Sequence, residues 1–298
     1  MEPILSINNL TKHYGRVQAV KNLSLTINKG EVFGILGPNG SGKTTTLGMI
    51  LDVINKTSGD YEWFGKPESK EVRKKIGAIL ETPIFYPYLS AGKNLEIVAE
   101  IKEAPLENID KVLKQVGLFE RKHDNFKTYS LGMKQRLSIA SALLCDPIVM
   151  ILDEPTNGLD PQGIADIRDL IISIARNGKT IILASHLLDE VQKVCTHFAV
   201  LKQGDLIHTG LVEDVTKGEV IVEVNAESDK LEGALKAFEG MKKMRFENNR
   251  WEVSLKEGHE STSLNHYLFT QNITTNYLLP KKKSLERQFL EILEEANA

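Results

Sequence analysis

A glycine-rich loop near the N-terminus contains the residues with the clearest chemistry. The sequence from Gly37 to Thr44, GPNGSGKT, matches the pattern GxxxxGK[ST] and follows the apolar run Val32–Leu36, a position that disfavours a chance match in an ordinary turn. Glycines let backbone N–H groups turn toward a phosphate, and the helix that follows directs its positive N-terminal end at the same anion. We expect Lys43 to reach the β- and γ-phosphates of a nucleotide and Thr44 to ligate Mg²⁺. The predicted nucleotide-binding residues of the loop are Gly37, Pro38, Asn39, Gly40, Ser41, Gly42, Lys43, Thr44 and Thr45.

Two acidic residues follow the apolar run Ile148–Leu152. Next to a phosphate-binding loop, Asp153 is expected to hold Mg²⁺ through water, and Glu154 to polarise the water that attacks the γ-phosphate. Taken alone, an acidic pair at this position is also common as ordinary strand-to-loop punctuation. The upstream loop favours the catalytic interpretation.

A third segment, Tyr129–Arg136, precedes the acidic strand. Ser130 has the residue type that caps a helix, and Gly132 allows close approach of the backbone to a phosphate. The simpler interpretation is that both residues only begin an ordinary helix. That interpretation does not explain why the segment lies shortly before the acidic strand.

The predicted strands and helices that carry these segments alternate along the chain. Ile4–Asn8 and Leu23–Ile27 alternate apolar and polar residues, which predicts antiparallel strands with one covered face. Val149–Leu152 and Thr180–Ala184 are continuous apolar runs, typical of strands buried on both faces. The sequence therefore predicts an α/β fold with a mostly parallel sheet, helices on both faces, and a mainly helical stretch from Ser69 to about residue 142, with a helical subdomain at about 80–146.

The order of predicted strands and helices changes near residue 218. This change divides the chain into predicted domains 1–217 and 218–298. The second domain reads strand, helix, strand, strand, helix, strand, followed by a last helix at Leu285–Glu295. That order predicts a small α+β, ferredoxin-like unit with one further helix. It contains no cluster of titratable residues that indicates a site.

Bulk properties exclude several classes of protein. A net charge of −3 argues against a nucleic-acid binder that depends on overall charge. The two cysteines, Cys145 and Cys195, are expected to be reduced thiols of a cytosolic protein, with a disulfide or metal site as the alternative. The N-terminus does not have the pattern of a signal peptide, and no apolar run reaches the ~20 residues that span a bilayer.

From about Ile4 to Leu211 the chain resembles the ATP-binding subunits of ATP-binding-cassette (ABC) transporters, because Tyr129–Arg136 resembles the signature segment of that family. The resemblance implies a P-loop NTPase (RecA-like) core with an antiparallel β subdomain and a helical insertion. It also implies that Tyr14 stacks on adenine, that Asp160 lies in the loop connecting two sites of a dimer, and that His186 contacts the γ-phosphate. Without the other motifs, packing roles for Tyr14 and His186 would be the simpler interpretations.

In that family the signature of one subunit completes the nucleotide site of the other, here through Ser130, Leu131, Gly132 and Met133. The resemblance thus implies ATP and Mg²⁺ as ligands, a second ATP-binding subunit, and an integral membrane permease as partner. A homodimer is expected, and a heterodimer remains open. The protein is then expected to be cytoplasmic and peripheral on the inner face of the cell membrane, with no nucleic acid as partner.

Two positions depart from the common family pattern. Glu81 stands where most members have Gln beside Mg²⁺ and the lytic water, and Leu131 stands where the signature usually has Gly. Glu81 remains a hard oxygen ligand but adds a negative charge, and a tolerated change with little effect is the alternative. With these two residues and the C-terminal pattern Ser284–Leu290, the sequence resembles those of bacterial exporters of the bacitracin-resistance and lantibiotic-immunity type. The resemblance implies export, and more weakly a peptide or lipid-like antibiotic as cargo.

Two other functions fit parts of the sequence. A soluble ABC ATPase acting on ribosomes or DNA usually has paired cassettes or a long coiled coil, and this chain has one cassette and no heptad insertion. A small-molecule kinase could use the phosphate-binding loop, but the signature segment and the lack of a recognisable acceptor site argue against it.

Overall fold

The computed structural model describes residues 2–67, 69–80, 85–217, 220–256, 258–282 and Phe289. The chain divides into two compact units, Met1–Gly210 and Leu211–Ala298. The sequence placed the change of domain a little later, between residues 217 and 218. The elements of the first unit are β1 (Pro3–Tyr14), β2 (Val17–Asn28), β3 (Val32–Leu36), α1 (Lys43–Ile50), β4 (Ser58–Trp63), α2 (Lys70–Arg73), β5 (Ile76–Ile79), α3 (Ala91–Lys102), α4 (Asn108–Gln115), α5 (Leu131–Leu143), β6 (Val149–Asp153), α6 (Pro161–Arg176), β7 (Thr180–Ser185), α7 (Leu188–Val194), β8 (His197–Lys202) and β9 (Asp205–Leu211), with 3-10 turns at Phe119–Arg121 and Phe126–Thr128.

A six-stranded sheet with the order β5-β6-β7-β3-β8-β9 forms the centre of this unit. The pairs from β5 through β8 are parallel, and β3, β6 and β7 are buried along their whole length. In their registers Leu36 lies beside Ser185, and Asp153 beside Ala184. The carboxyl ends of β3, β6 and β7 therefore meet at one edge of the sheet, where ligands of open α/β sheets bind.

A second sheet is antiparallel, with the order β2-β1-β4. Its apolar face shares one core with α1 and the central sheet, including Leu5, Trp63, Leu47 and Ile35. Trp63 is completely buried, and its indole N–H donates to the carbonyl of Ile50, the last residue of α1, over 2.8 Å. This contact fixes the helix that follows the phosphate-binding loop against the antiparallel sheet.

The structure corrects two details of the sequence prediction. The stretch predicted as mainly helical from Ser69 contains a strand, β5, which forms one edge of the parallel sheet. The sequence also does not predict β4, because only Tyr61 and Trp63 of that strand are buried. Both strands are short, and their pairing with distant residues rather than their own residue pattern makes them strands.

The helical insertion contains α3, α4 and α5. Ser90 and Ser130 cap α3 and α5 by accepting hydrogen bonds from the backbone N–H groups of Lys93 and Met133. Asn94 is buried, and its side chain bonds both the N–H and the carbonyl of Tyr86. One buried amide thus holds the loop that leads into the insertion.

The second unit contains α8 (Val212–Lys217), β10 (Val220–Asn225), α9 (Leu231–Ala237), β11 (Met241–Glu247), β12 (Arg250–Leu255), α10 (Ser261–Thr270) and β13 (Tyr277–Lys282). Its antiparallel sheet has the order β11-β12-β10-β13, which confirms the predicted ferredoxin-like order of elements. Its core is apolar and contains Val222, Leu235 and Leu268. The predicted last helix, Leu285–Glu295, lies outside the described residues apart from Phe289.

Membrane-spanning helices were not expected from the sequence. Within the described ranges, no helix combines the length and the apolar composition that crossing a bilayer requires.

Candidate active site

The phosphate-binding loop lies between the end of β3 and the start of α1. At Gly42, φ is 106°, and a Cβ built there would lie 2.5 Å from the carbonyl oxygen of Ala19. A Cβ on Gly37 would lie 2.4 Å from the carbonyl oxygen of Leu201. Both positions exclude a side chain, whereas Gly40 faces open space. The loop keeps its shape because its backbone is packed tightly on one side, which leaves the other side free for an anion.

Lys43 spans the mouth of this loop. Its side chain is 6% exposed, and its ammonium donates to the carbonyl of Gly37 over 2.8 Å. The same ammonium lies 3.4 Å from Oε1 of Glu154. The loop and the acidic strand, which the sequence identified separately, therefore meet at one cation.

Thr44 and Asp153 are also brought together. The Thr44 hydroxyl donates to Oδ2 of Asp153 over 2.7 Å, and Asp153 is 4% exposed. A hydroxyl and a carboxylate are hard oxygen donors of the kind that Mg²⁺ prefers, so these two residues fit the predicted metal. Glu81, the third predicted ligand, lies outside the described residues. Among the described residues, no group of three or more His, Cys, Asp and Glu side chains is placed to hold a metal ion by itself.

Glu154 lies between two donors. Its Oε2 is 2.8 Å from Nδ1 of His186, and its Oε1 faces Lys43. Its backbone has a φ of 46°, and its N–H donates to the carbonyl of Ala184 on the neighbouring strand β7. A left-handed conformation at a residue other than glycine is uncommon and concentrates at functional sites. The turn after β6 therefore directs the carboxylate back toward the phosphate-binding loop.

Tyr14 lies in the same groove as the loop. This groove has a volume of about 570 Å³ and is lined by Tyr14, Val17, Gln18, Ala19, Asn39, Gly40, Ser41, Gly42, Lys43, Thr44, Thr45, Glu154 and Gln203. The Tyr14 ring is 49% exposed, and the ammonium of Lys12 lies 4.8 Å from its centre. An exposed ring at the rim of a groove can stack on a nucleotide base.

Sequence reasoning missed the residues around the rim. Gln203 lies in the turn between β8 and β9, where the N–H of Gly204 donates to the carbonyl of Ser41. Val17, Gln18 and Ala19 are at the start of β2. Neither residue type nor spacing indicates these positions, because only the packing of the two turns against the loop brings them there.

We expect Tyr14→Ala to weaken binding of ATP and of AMP by the same factor. Stacking of a base on an aromatic ring contributes about 1–3 kcal/mol, which corresponds to roughly fivefold to 150-fold in affinity, and both ligands present the same base. Fluorescence titration of the two nucleotides measures this. Tyr14→Phe is the matched control and should bind as the unmodified protein does. An unchanged affinity of Tyr14→Ala would assign Tyr14 to packing.

The signature residues line a different groove. This second groove has a volume of about 450 Å³ and is formed by Ser130, Leu131, Gly132, Met133, Arg136, Gly158, Leu159, Asp160, Gln162, Gly163 and Asp166. Asp160 caps α6 by accepting from the N–H of Gly163 over 2.9 Å. The predicted signature residues and the loop at residues 158–160 therefore lie side by side, and neither contributes to the groove around Lys43.

Leu131 covers part of the loop at residues 158–160. Its Cδ2 lies 3.3 Å from the position that a Cβ on Gly158 would take, and its side chain is 49% exposed. The usual glycine at this position would make no such contact. The departure from the common signature thus adds an apolar contact between the start of α5 and the loop before α6.

Comparison with known proteins places these features in one family. The family model described as ABC transporter matches residues 20–157. The chain is 38% identical to the ABC transporter ATP-binding protein YdbJ of Bacillus subtilis, over 97% of this chain and 95% of YdbJ. It is 44% identical to the bacitracin transport ATP-binding protein BcrA of Bacillus licheniformis, over 70% of this chain and 69% of BcrA. It is 40% identical to the lantibiotic transport ATP-binding protein SrtF of Streptococcus pyogenes, over 68% of this chain and 89% of SrtF.

Solved structures of ATP-binding cassettes agree with the family match. cbiO1 of Clostridium perfringens, part of the ABC transporter complex cbiONQ, superimposes with a TM-score of 0.66 at 31% identity, over 72% of this chain and 91% of cbiO1. A dimeric ATP-binding cassette in a post-hydrolysis state, bound to ADP and phosphate, superimposes with a TM-score of 0.62 at 26% identity, over 70% of this chain and 99% of the cassette. The relatives and the fold thus confirm the resemblance inferred from the motifs.

Proposed function

This chain belongs to the ATP-binding subunits of ABC transporters and is an ATPase, and from that premise we propose that two copies of it sandwich two ATP molecules and drive export through a separate membrane permease. The observation that supports a dimer is that the nucleotide groove and the signature groove are separate within one chain. One chain holds a phosphate-binding loop in one groove and a signature segment in another. In a sandwich, the signature groove of each copy closes the loop groove of the other.

A homodimer is the simplest assembly, because one chain contains the parts of one full site. The loop residues from Gly37 to Thr45 hold the phosphates, and Tyr14 holds the base. Ser130 and Gly132 of the second copy supply a hydroxyl and backbone N–H groups to the γ-phosphate from the other side. ATP then favours the closed dimer, because it makes contacts there that the open one lacks.

Thr44 and Asp153 would hold Mg²⁺, with Glu81 as a third oxygen ligand. When bound, the ion offsets the negative charge of the β- and γ-phosphates. The hydrogen bond between Thr44 and Asp153 supports this role, since it already brings the hydroxyl and the carboxylate to one point.

Hydrolysis is assigned to Glu154, His186 and Lys43. Glu154 accepts a proton from a water molecule as the water oxygen bonds to the γ-phosphorus and the bond to the β–γ bridging oxygen breaks, giving ADP and phosphate. His186 orients Glu154 through the 2.8 Å contact and reaches toward the γ-phosphate. Lys43 stabilises the charge that develops on the phosphate oxygens.

The helical insertion is the proposed contact with the permease. The loop that Asn94 holds carries two exposed aromatic side chains, Tyr86 and Tyr88, whose ring centres are 5.9 Å apart. Exposed aromatic residues are enriched at protein interfaces. Such a partner places the protein in the cytoplasm on the inner face of the membrane, with no nucleic acid involved.

The names of two relatives support a proposal for the direction and the cargo of transport. Two of them are named for transport of bacitracin and of lantibiotics, and they share 40–44% identity with this chain. We infer a peptide or lipid-like antibiotic as cargo and export as the direction. The alternative of a soluble ATPase on ribosomes or DNA has no counterpart among the relatives described above.

Affinity purification of tagged Glu154→Gln from detergent-solubilised native membranes, with ATP present, tests the transporter assignment. We expect a polytopic membrane protein among the bound partners, because the variant holds ATP and keeps the dimer closed. The fold of that protein identifies export or import. Tagged Lys43→Ala is the control for dependence on ATP. Recovery of only ribosomal or DNA-associated proteins, or of no partner, would contradict coupling to a permease.

A further inference from the structure

A cavity of about 220 Å³ lies in the first unit, away from both grooves described above. It is formed where α2 and β5 meet the C-terminal ends of α3 and α5. Its lining residues are Lys70, Arg73, Lys74, Ile76, Ile101, Lys102, Glu103, Ala142 and Cys145. None of them lines the nucleotide groove or the signature groove.

Three of the four basic side chains in this cavity have an acidic partner. Lys70 and Lys74 both pair with Glu103, at 3.3 and 2.7 Å, and Arg73 pairs with Asp52 at 3.2 Å. These pairs lie at the exposed rim, where each contributes little to stability. They leave the cavity with one further cation.

Lys102 is that cation, and its side chain is half-buried. Its ammonium donates to the carbonyl of Ser141 over 2.9 Å, and among the described residues it forms no ion pair with a carboxylate. Burial lowers the pKa of Lys102 from its ordinary value. An ammonium partly removed from water is stabilised by an anion placed next to it. Glu103, the carboxylate that lines the cavity, is paired with Lys70 and Lys74 instead.

The remaining walls are apolar, and the space is small. Ile76, Ile101 and Ala142 supply aliphatic surface beside Lys102. The volume of about 220 Å³ is well under half of the 570 Å³ of the nucleotide groove, which excludes a nucleotide. Four basic side chains share two carboxylates, Glu103 and Asp52, so the excess positive charge favours a small anion. The aliphatic wall matches a short hydrocarbon tail.

We propose that this cavity binds a small amphiphilic carboxylate, with its carboxylate on Lys102 and its tail against Ile76, Ile101 and Ala142. A ligand there contacts α3 and α5 of the helical insertion and β5 of the core at once. Since β5 leads into the segment that contains Glu81, occupancy stabilises one position of the insertion relative to the core. The cavity is thus a regulatory site that is separate from the nucleotide site.

Isothermal titration with octanoate tests this proposal, with octanol as the matched neutral ligand. We expect octanoate to bind with a dissociation constant on the order of millimolar or tighter, as suits a ligand of its size, and octanol to bind at least about tenfold more weakly. Lys102→Met should weaken octanoate binding by about tenfold or more. Lys93→Met changes a lysine of the same helix that pairs with Glu96 and lies outside the cavity, and it should bind octanoate normally.

A second variant and a second readout do not depend on replacing Lys102. Ile101 is 77% exposed, so Ile101→Glu should fold normally and should repel the carboxylate from the cavity mouth. Cys145 lines the cavity, whereas Cys195 is buried and burial raises the pKa of its thiol, so alkylation by iodoacetamide should occur at Cys145. Octanoate should slow that alkylation several-fold, and octanol should not.

Three results would overturn the proposal: no binding of octanoate in the millimolar range, equal binding of octanol, or unchanged binding by both Lys102→Met and Ile101→Glu. These measurements need neither ATP hydrolysis nor a permease. Their failure therefore leaves the proposed transport function untouched.

Discussion

Glu154→Gln should reduce ATP hydrolysis by roughly 10²–10⁴-fold, the usual contribution of a general base, while ATP affinity stays unchanged. Gln keeps the size of the side chain and its contacts with Lys43 and His186, but its amide oxygen cannot take a proton from water. Because ATP stays bound, the dimer should remain closed. Phosphate release under saturating ATP measures the first effect, and size-exclusion chromatography with and without ATP measures the second.

The matched control for this prediction is Glu62→Gln, which removes the same charge from an exposed position on β4. It should hydrolyse ATP and dissociate as the unmodified protein does. If Glu154→Gln hydrolyses ATP at the parental rate while ATP is bound, Glu154 has no part in the reaction. The 2.8 Å contact with His186 would then be structural.

Lys43→Ala is expected to abolish hydrolysis and to weaken ATP binding by roughly tenfold to 150-fold. Without the Lys43 ammonium, ATP loses a hydrogen bond to a charged group, which contributes about 1.5–3 kcal/mol to binding. AMP lacks the β- and γ-phosphates, so its affinity should change much less. Equilibrium dialysis with both nucleotides separates the two effects.

Lys29→Ala is the control for this second prediction, because Lys29 is 58% exposed and does not line the nucleotide groove. Its ammonium lies 3.7 Å from Oε2 of the exposed Glu2. It should leave both affinities unchanged. Equal weakening of ATP and AMP by Lys43→Ala would indicate a distorted loop rather than a lost phosphate contact. Retained hydrolysis in that variant would remove Lys43 from the mechanism.

Much of the candidate site could be predicted from short segments. The loop from Gly37 to Thr45, the acidic pair after β6 and the signature at Ser130 each carry their chemistry within about eight consecutive residues. Their order along the chain, together with parallel strands, predicts that the loop and the acidic pair meet at one sheet edge. The structure places Lys43, Thr44, Asp153, Glu154 and His186 there, and their catalytic roles stay predictions until the variants are measured.

The family, the α/β core and the ferredoxin-like order of the second unit could all be inferred from the amino-acid sequence, because each depends on patterns within short stretches of the chain. Three features became visible only in the folded chain: β4 and β5 are strands, Gln203 borders the nucleotide groove, and the signature residues line a separate groove. The cavity around Lys102 belongs with these, since its lining comes from α2, β5, α3 and α5. A short strand or a cavity wall is stabilised by residues far away in sequence, and no local pattern records such a contact.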